Sequence, residues 1–289
     1  MKENAPESMG VIYRMPLTEL HPHPENPFAV RDDPEMKELV ESIRKSGVLV
    51  PATVRPLPDG GYQLISGHRR KYASELAGME SMPVVVLNLT DDEARIHLVD
   101  SNIQRENIFP SERAKAYKMK LDATKRQGSR TDITSPNSSA KFRTDDSIGI
   151  SDGISGDPVR NYIALNNLIP PLLQLVDEKK IGLSVAYLLA ALPQDEQDLL
   201  FTTIESEQST PSRSQALRMK KLSQAGQLNE DTMLSIMVEV KKPVKRDVTL
   251  SEDRLRKYFP KSYSQGQIEN VIFKLLEAWQ KKRQRDQSR

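Results

Sequence analysis

Between Gly128 and Thr144 the chain reads GSRTDITSPNSSAKFRT, and that interruption rules out reading the whole as one regular fold. A run of Ser, Thr, Asn and Gly buries too little apolar area to offset the entropy of ordering it. Residues 127–145 are therefore predicted to link two differently built halves. Ahead of them, segments of period 2 alternate with segments of period 3.6. Behind them only helical periodicity remains. The fold class expected is α+β. A small mixed domain over 11–126 precedes a helical domain over 146–240 and a helical C-terminal segment over 248–282.

The first half yields its elements through local chemistry. Asp33-Pro34 supplies an N-cap and a proline at the first helical position, and Met36, Leu39, Val40 and Ile43 follow at helical spacing up to Gly47. Ala52–Arg55 and Tyr62–Ile65 read as strands joined across Pro58-Asp59-Gly60-Gly61. A helix runs from the following glycine turn to about Ala77, with Gly78 as its stop. Val84–Leu89 is a short apolar strand. Thr90-Asp91-Asp92-Glu93 has the pattern of a capping box opening a helix toward Asn102. A further helix is expected over Glu112–Lys125, with Ala114, Tyr117 and Leu121 on its apolar side. In the second half Asp157-Pro158 repeats the cap-plus-proline start, and Pro170-Pro171, Pro193, Pro211 and Pro260 punctuate the helices. Ile268, Val271, Ile272, Leu275, Leu276 and Trp279 form one stripe, read as core. A basic tail with Lys281, Lys282, Arg283, Arg285 and Arg289 follows, expected to be a solvated end.

Composition removes several chemistries. With no Cys in 289 residues, thiol catalysis, disulfides and thiolate zinc sites are excluded. His21 and His23 bracket a proline, but with four His in all and no Cys they read as turn residues rather than metal ligands, and His97 as a surface or packing residue. No Ser-His-Asp or paired-carboxylate pattern stands out. The longest apolar stretch, near Val185–Leu192, is far short of the roughly 20 residues that span a bilayer, and Met1–Gly10 lacks a signal-peptide core, so no membrane role is expected. A net charge of +2 does not advertise nucleic acid, so any such affinity must come from how Lys and Arg are placed.

One placement has that character. Gly67-His68-Arg69-Arg70 sits where a strand hands over to a helix. A helix N-terminus offers unpaired N–H groups and a positive dipole end, glycine admits an anion close to the backbone, and guanidinium groups match phosphate oxygens. Four such residues also open ordinary exposed helices, so the surroundings decide. They read GVLVPATVRP (Gly47–Pro56), ISGHRRKYASELAG (Ile65–Gly78) and LVDSNIQREN (Leu98–Asn107), preceded by HPHPENPF (His21–Phe28). In that order these blocks resemble the boxes of the ParB-like N-terminal domain of chromosome- and plasmid-partition proteins, over about Leu17–Asp122. The resemblance implies a fold shared with sulfiredoxin-type enzymes, whose thiol chemistry a chain without Cys cannot run. It implies CTP and Mg²⁺ as ligands, with Gly67, His68, Arg69, Arg70 and Asn102 contacting the nucleotide and Asn102 the metal. Two departures stand out. His68 replaces the family's usual Glu after the motif glycine, and Ser101 its usual Glu before the third-box Asn, though Asp100 is adjacent. Losing a hard carboxylate weakens Mg²⁺ binding. Hydrolysis is left open, at most as a weak CTPase.

Ser147–Asn167 reads as a helix-turn-helix: a short helix at Ser147–Ser151, a turn at Gly153-Ile154-Ser155-Gly156, and a second helix from Asp157. Val159, Tyr162 and Ile163 share one face and Arg160 and Asn161 face away. Arg suits guanine and Asn adenine at the start of a recognition helix, while Ser155 suits a phosphate at its entry, with Asp157 beside it. An ordinary helical hairpin gives the same pattern, so the order of domains in the resembled family carries this reading. The whole implies a cytoplasmic, nucleoid-associated homodimer binding a palindromic site in double-stranded DNA, CTP-gated, with a ParA-type ATPase as partner. The alternatives are a transcriptional regulator that lacks nucleotide control and an enzyme such as a nucleotidase or nuclease.

Overall fold

The computed structural model describes residues 11–105, 107–131, 144–151, 155–239, 255, 257–260 and 262–287. Its N-terminal elements follow from the local signals. Asp33 accepts the Met36 N–H at 2.8 Å and opens helix α1 (Pro34–Ser46), and Gly47 ends it at a φ of 69°. Strands β1 (Ile12–Pro16), β2 (Leu20–Pro22), β3 (Ala52–Pro56), β4 (Tyr62–Ser66) and β5 (Ser81–Val86) form one sheet in the order β1-β5-β3-β4-β2. Pairing is mixed: β1–β5 and β3–β4 are antiparallel, β3–β5 and β2–β4 parallel. The strand expected at Val84–Leu89 lies three residues earlier. Proline cannot donate to a ladder; Pro83 stands opposite Arg14 of β1, and pairing with β3 begins at the next residue, Ala52↔Val84.

Side-chain alternation along β4 separates two buried faces. Leu64 packs with Met15, Leu20, Val54 and Val84, while Ile65 meets Ala94 and Leu98 of helix α3 (Asp91–Asp100). The Thr90 capping box that opens α3 is formed in both directions. Helix α2 (His68–Leu76) packs with α1 through Ala73, Met36, Val40 and Ile43.

Helix α4 spans Pro110–Thr131, beyond the expected end at Lys125 and into the stretch read as linker. Propensity differences below about 1 kcal/mol per residue do not stop a helix already nucleated over many turns. Helix α5 (Thr144–Ser151) likewise starts before residue 146, and residues 132–143 lie outside the described set. Beyond them come α6 (Gly156–Ala164), α7 (Pro170–Asp177), α8 (Leu183–Leu189), α9 (Gln194–Glu207), α10 (Arg213–Gln224) and α11 (Glu230–Val238). They enclose a core around Leu165, Leu172, Leu189, Leu200 and Met219.

Residues up to Glu239 make one compact unit and those after it a second. The mixed and helical bodies, expected as separate domains, thus share a unit. The physical reason is α4, whose Ala114 joins the helical core while Ala116 and Tyr117 pack with Val99 of α3. Ser111 at its start also donates twice to Asp177 of α7, from N at 2.9 Å and Oγ at 2.5 Å. The second unit contains α12 (Gln265–Gln287). Its stripe is not core: Leu275, Leu276 and Trp279 are 64%, 52% and 57% exposed. The basic residues expected as a tail continue this helix, with the Arg283 guanidinium 5.5 Å from the Trp279 ring centre; Arg289 lies outside the described residues. No helix among the described residues is long and apolar enough to cross a membrane.

Candidate functional site

Gly67 joins β4 to α2 with φ 98° and ψ 19°, a left-handed conformation that side chains resist. A Cβ there would come within 2.8 Å of Ala52 Cβ on β3. Strand β3 thus presses against the turn from behind, and the open side of the turn faces a cavity of about 270 Å³. Three segments line it: Asn26, Phe28, Ala29 and Val30 of the lead-in loop, Ser66 to Arg70, and Ser101, Asn102 and Arg105 after α3. All five residues named for the nucleotide from sequence alone therefore meet in one cavity.

Each charged group is held separately. Arg69 donates both terminal nitrogens to Asp33, at 3.0 Å and 2.9 Å, in a bidentate fork. That guanidinium, with the Met36 N–H, pulls the Asp33 carboxyl down to about 2. Arg70 donates Nη1 to the carbonyls of Val50 and Pro51, and burial lowers its pKa. Burial pushes the His68 imidazole down to about 4, helped by His23, Arg105 and Lys71 nearby. His68 is thus neutral at neutral pH, and its Nε2 accepts the His23 backbone N–H at 3.5 Å.

Two residues that sequence reasoning passed over complete the site. Arg105 adds a third guanidinium to the lining and donates to Asn102 Oδ1 at 3.0 Å. Its signal was available in the same block, three residues after Asn102. Glu112 is buried and gathers three donors: Ala29 N–H at 2.9 Å, Phe109 N–H at 3.0 Å and the Arg31 guanidinium. Arg31 also stacks 3.8 Å over the Phe109 ring. Pro110 at the first helical position with Glu112 two residues on is the half of a capping box that marks it. This latch ties the pocket's lead-in loop to the start of α4.

Mg²⁺ takes hard oxygen ligands, chiefly carboxylates and phosphates, in near-octahedral geometry. Among the described residues no lining side chain is a carboxylate, and the one amide oxygen nominated, Asn102 Oδ1, already accepts from Arg105. This donor set does not fit Mg²⁺.

The second candidate region lies on α5 and α6. Ser155, rather than Asp157, occupies the N-cap of α6, without a side-chain hydrogen bond. The helix starts one residue earlier than expected, at Gly156, which places Asp157 in its first turn, where the carboxylate pairs with Arg160. Val159 is fully buried with Tyr162 and Ile163 packed beside it, and Asn161 is exposed. Arg160 meets Asp145 Oδ2 at 2.7 Å and Asp146 Oδ1 at 3.1 Å as well as Asp157, which raises its pKa. Gly156 allows that approach, since a Cβ there would overlap Asp146. The turn residues Gly153 and Ile154 lie outside the described residues. Phe28 of the pocket wall, Ile103, Ile148 of α5 and Val159 of α6 share one apolar cluster.

Residues 1–103 match the ParB N-terminal domain family. The chain is 39% identical over 117 residues to the chromosome-partitioning protein Spo0J of Thermus thermophilus, covering 40% of this chain and 43% of that protein. It thus spans less than half the length of that relative. Over 261 residues it is 27% identical to the nucleoid occlusion protein of Listeria innocua, covering 88% and 86%. Among solved structures it is similar to the C-terminally truncated chromosome-partitioning protein ParB from Caulobacter crescentus. The form complexed to the centromeric parS site matches at 23% identity and TM-score 0.47, over 72% of this chain and 98% of that one. The form complexed with CTP-gamma-S matches at 27% and 0.31, over 68% and 99%.

Proposed function

We infer that this chain, which belongs through its N-terminal domain to the ParB-type partition-protein family, is a sequence-specific DNA-binding protein gated by CTP. The observation that carries the reading is the convergence of Gly67, Arg69, Arg70, Asn102 and Arg105 on one cavity at a helix N-terminus. Such a cavity recognises a polyphosphate through backbone N–H groups and guanidinium charge. DNA is read by the first turns of α6, with Arg160 and Asn161 on base edges, and Ser155 and Asp157 at the helix entry. The shared cluster of Phe28, Ile103, Ile148 and Val159 supplies a packed connection between pocket and reader. The exposed stripe of Leu275, Leu276 and Trp279 suits self-association as a homodimer, which matches a palindromic site in double-stranded DNA. The biological task is segregation of a plasmid, mobile element or chromosome alongside a ParA-type ATPase, in the cytoplasm at the nucleoid.

A second reading keeps the DNA binding and changes its purpose to nucleoid occlusion. It is favoured by the match to the Listeria protein over 88% of the chain.

The test is selection of bound sequences from random duplex DNA by the full chain, with and without CTP. Enrichment of one palindrome, with occupancy that changes when CTP is added, is expected. Arg160→Ala should weaken binding to the selected site by about 1–3 kcal/mol. No enrichment in either condition refutes DNA reading, and enrichment indifferent to CTP refutes the gating.

A further inference from the structure

We propose that the pocket binds CTP as the metal-free polyphosphate, with the Arg105 guanidinium standing where a divalent cation would have to sit. The proposal rests on the nucleotide reading above and concerns what neutralises the phosphates.

The side chains around the cavity argue for it together. A protein-held Mg²⁺ needs oxygen donors facing the phosphates. Among the described residues the lining contributes guanidinium groups from Arg69, Arg70 and Arg105, and no Asp or Glu. Asn102 cannot rescue the donor set. Its Nδ2 donates to Leu98 O at 2.9 Å and Ser101 Oγ at 3.1 Å, which turns Oδ1 toward Arg105 Nη1 at 3.0 Å. A cation on Oδ1 would displace that donor and lie against a positive charge.

Three acids close to these segments among the described residues have partners of their own. Asp33 takes both terminal nitrogens of Arg69 and the Met36 N–H. Glu35 accepts from Asn107 Nδ2 at 2.7 Å, and Asp100, next to Ser101, pairs with Lys120 at 2.6 Å. Among the described residues, no three His, Asp or Glu side chains gather where a metal could be held. Charge runs the same way. Among the described residues Asp33, Glu35 and Glu112 act on the three guanidinium groups, and Glu112 is itself held by Arg31, so the cavity lining keeps the positive character that a triphosphate requires.

Isothermal calorimetry of the full chain with CTP, in excess EDTA and in excess Mg²⁺, separates the alternatives. The affinity in EDTA is expected to stay within about threefold of that in Mg²⁺, or to exceed it. Ser101→Glu puts a carboxylate beside Asn102, and this variant is expected to lose about tenfold in EDTA and regain it with Mg²⁺. A wild-type affinity about tenfold or more weaker in EDTA overturns the proposal and leaves the nucleotide reading standing. Absence of binding heat in both buffers overturns that reading and the proposal with it.

Discussion

Replacing Gly67 by alanine tests whether β3 shapes the pocket from behind. Gly78 provides the control, because it too has positive φ (76°, against 98° at Gly67), but a Cβ at Gly78 meets nothing within 4 Å. Both substitutions incur the left-handed penalty of about 1–2 kcal/mol, offset by roughly 0.4–1 kcal/mol from a less free unfolded chain. Gly78→Ala should therefore cost about 1 kcal/mol. At Gly67 the new methyl lies 2.8 Å from Ala52 Cβ and 3.3 Å from Ala52 Cα. Ala52 is fully buried on a strand paired on both sides, so it cannot rotate away, and overpacking of this kind adds about 1–3 kcal/mol. The third neighbour, Arg70 Nη2 at 3.2 Å, is the end of a flexible side chain and yields readily, but its movement disturbs the cavity wall. Gly67→Ala should thus cost about 2–4 kcal/mol, read from hydrogen exchange of the β4 amides of Leu64 and Ile65, and should also weaken CTP binding. Equal costs at the two glycines would refute the close approach of β3 on which the pocket's shape depends.

Two further outcomes follow from the same geometry. Glu112→Ala leaves the Ala29 and Phe109 N–H groups and Arg31 without their shared acceptor. Because Glu112 is buried while Arg31 is 32% exposed on its side chain, the expected loss is about 2–4 kcal/mol in urea unfolding, and Glu112→Gln should lose less; an unchanged midpoint would show that the latch is idle. His68 is held neutral in the fold, its pKa lowered from 6.5 to about 4 chiefly by burial. Above 6.5 folded and unfolded chains are both neutral at this residue. As pH falls toward 4 only the unfolded chain takes up the proton, so stability declines across that window, by roughly 3 kcal/mol at most. His68→Gln should flatten that part of the stability–pH curve, leaving the smaller decline from His23, whose pKa burial also lowers; an unchanged slope counts against a buried neutral imidazole.

What could be read from the residues was whatever local chemistry decides. Asp33-Pro34 and Gly47 bracket α1 because a cap, a preset φ and a left-handed stop act within a few residues. Thr90 and Glu93 act in the same way for α3. What escaped depends on partners distant in sequence. The strand expected from Val84 begins at Ser81 because β1, distant in sequence, pairs with it back to Pro16↔Ser81. Glu112 was read only as the start of a helix, and its role as an acceptor depends on Ala29 and Arg31, which the fold brings onto its carboxylate from far earlier in the chain. The stripe from Ile268 to Trp279 has the spacing of a core helix, yet spacing says nothing about whether a covering surface exists in the same chain; Leu275, Leu276 and Trp279 lie exposed.

Arg160 was read as a base-reading donor, and its surroundings bear on how that role could be exercised. Three carboxylates, Asp145, Asp146 and Asp157, converge on its guanidinium, so contact with a guanine edge requires exchanging charged partners for uncharged acceptors. The carboxylates would then be left beside a phosphate backbone. Binding under those terms gains from anything that alters the packing of α5 against α6. The buried residues that set this packing, Ile148 and Val159, sit in the cluster that includes Phe28 and Ile103. Phe28 lines the anion cavity, and Ile103 stands between Asn102 and Arg105, which line it too. A ligand that shifted the cavity wall would therefore press on side chains packed against the core of the proposed reader. Close-packed interiors pass on such displacements because they hold few voids to absorb them. If CTP gates DNA binding as proposed, this shared cluster is a packed route by which the cavity and α6 could be coupled.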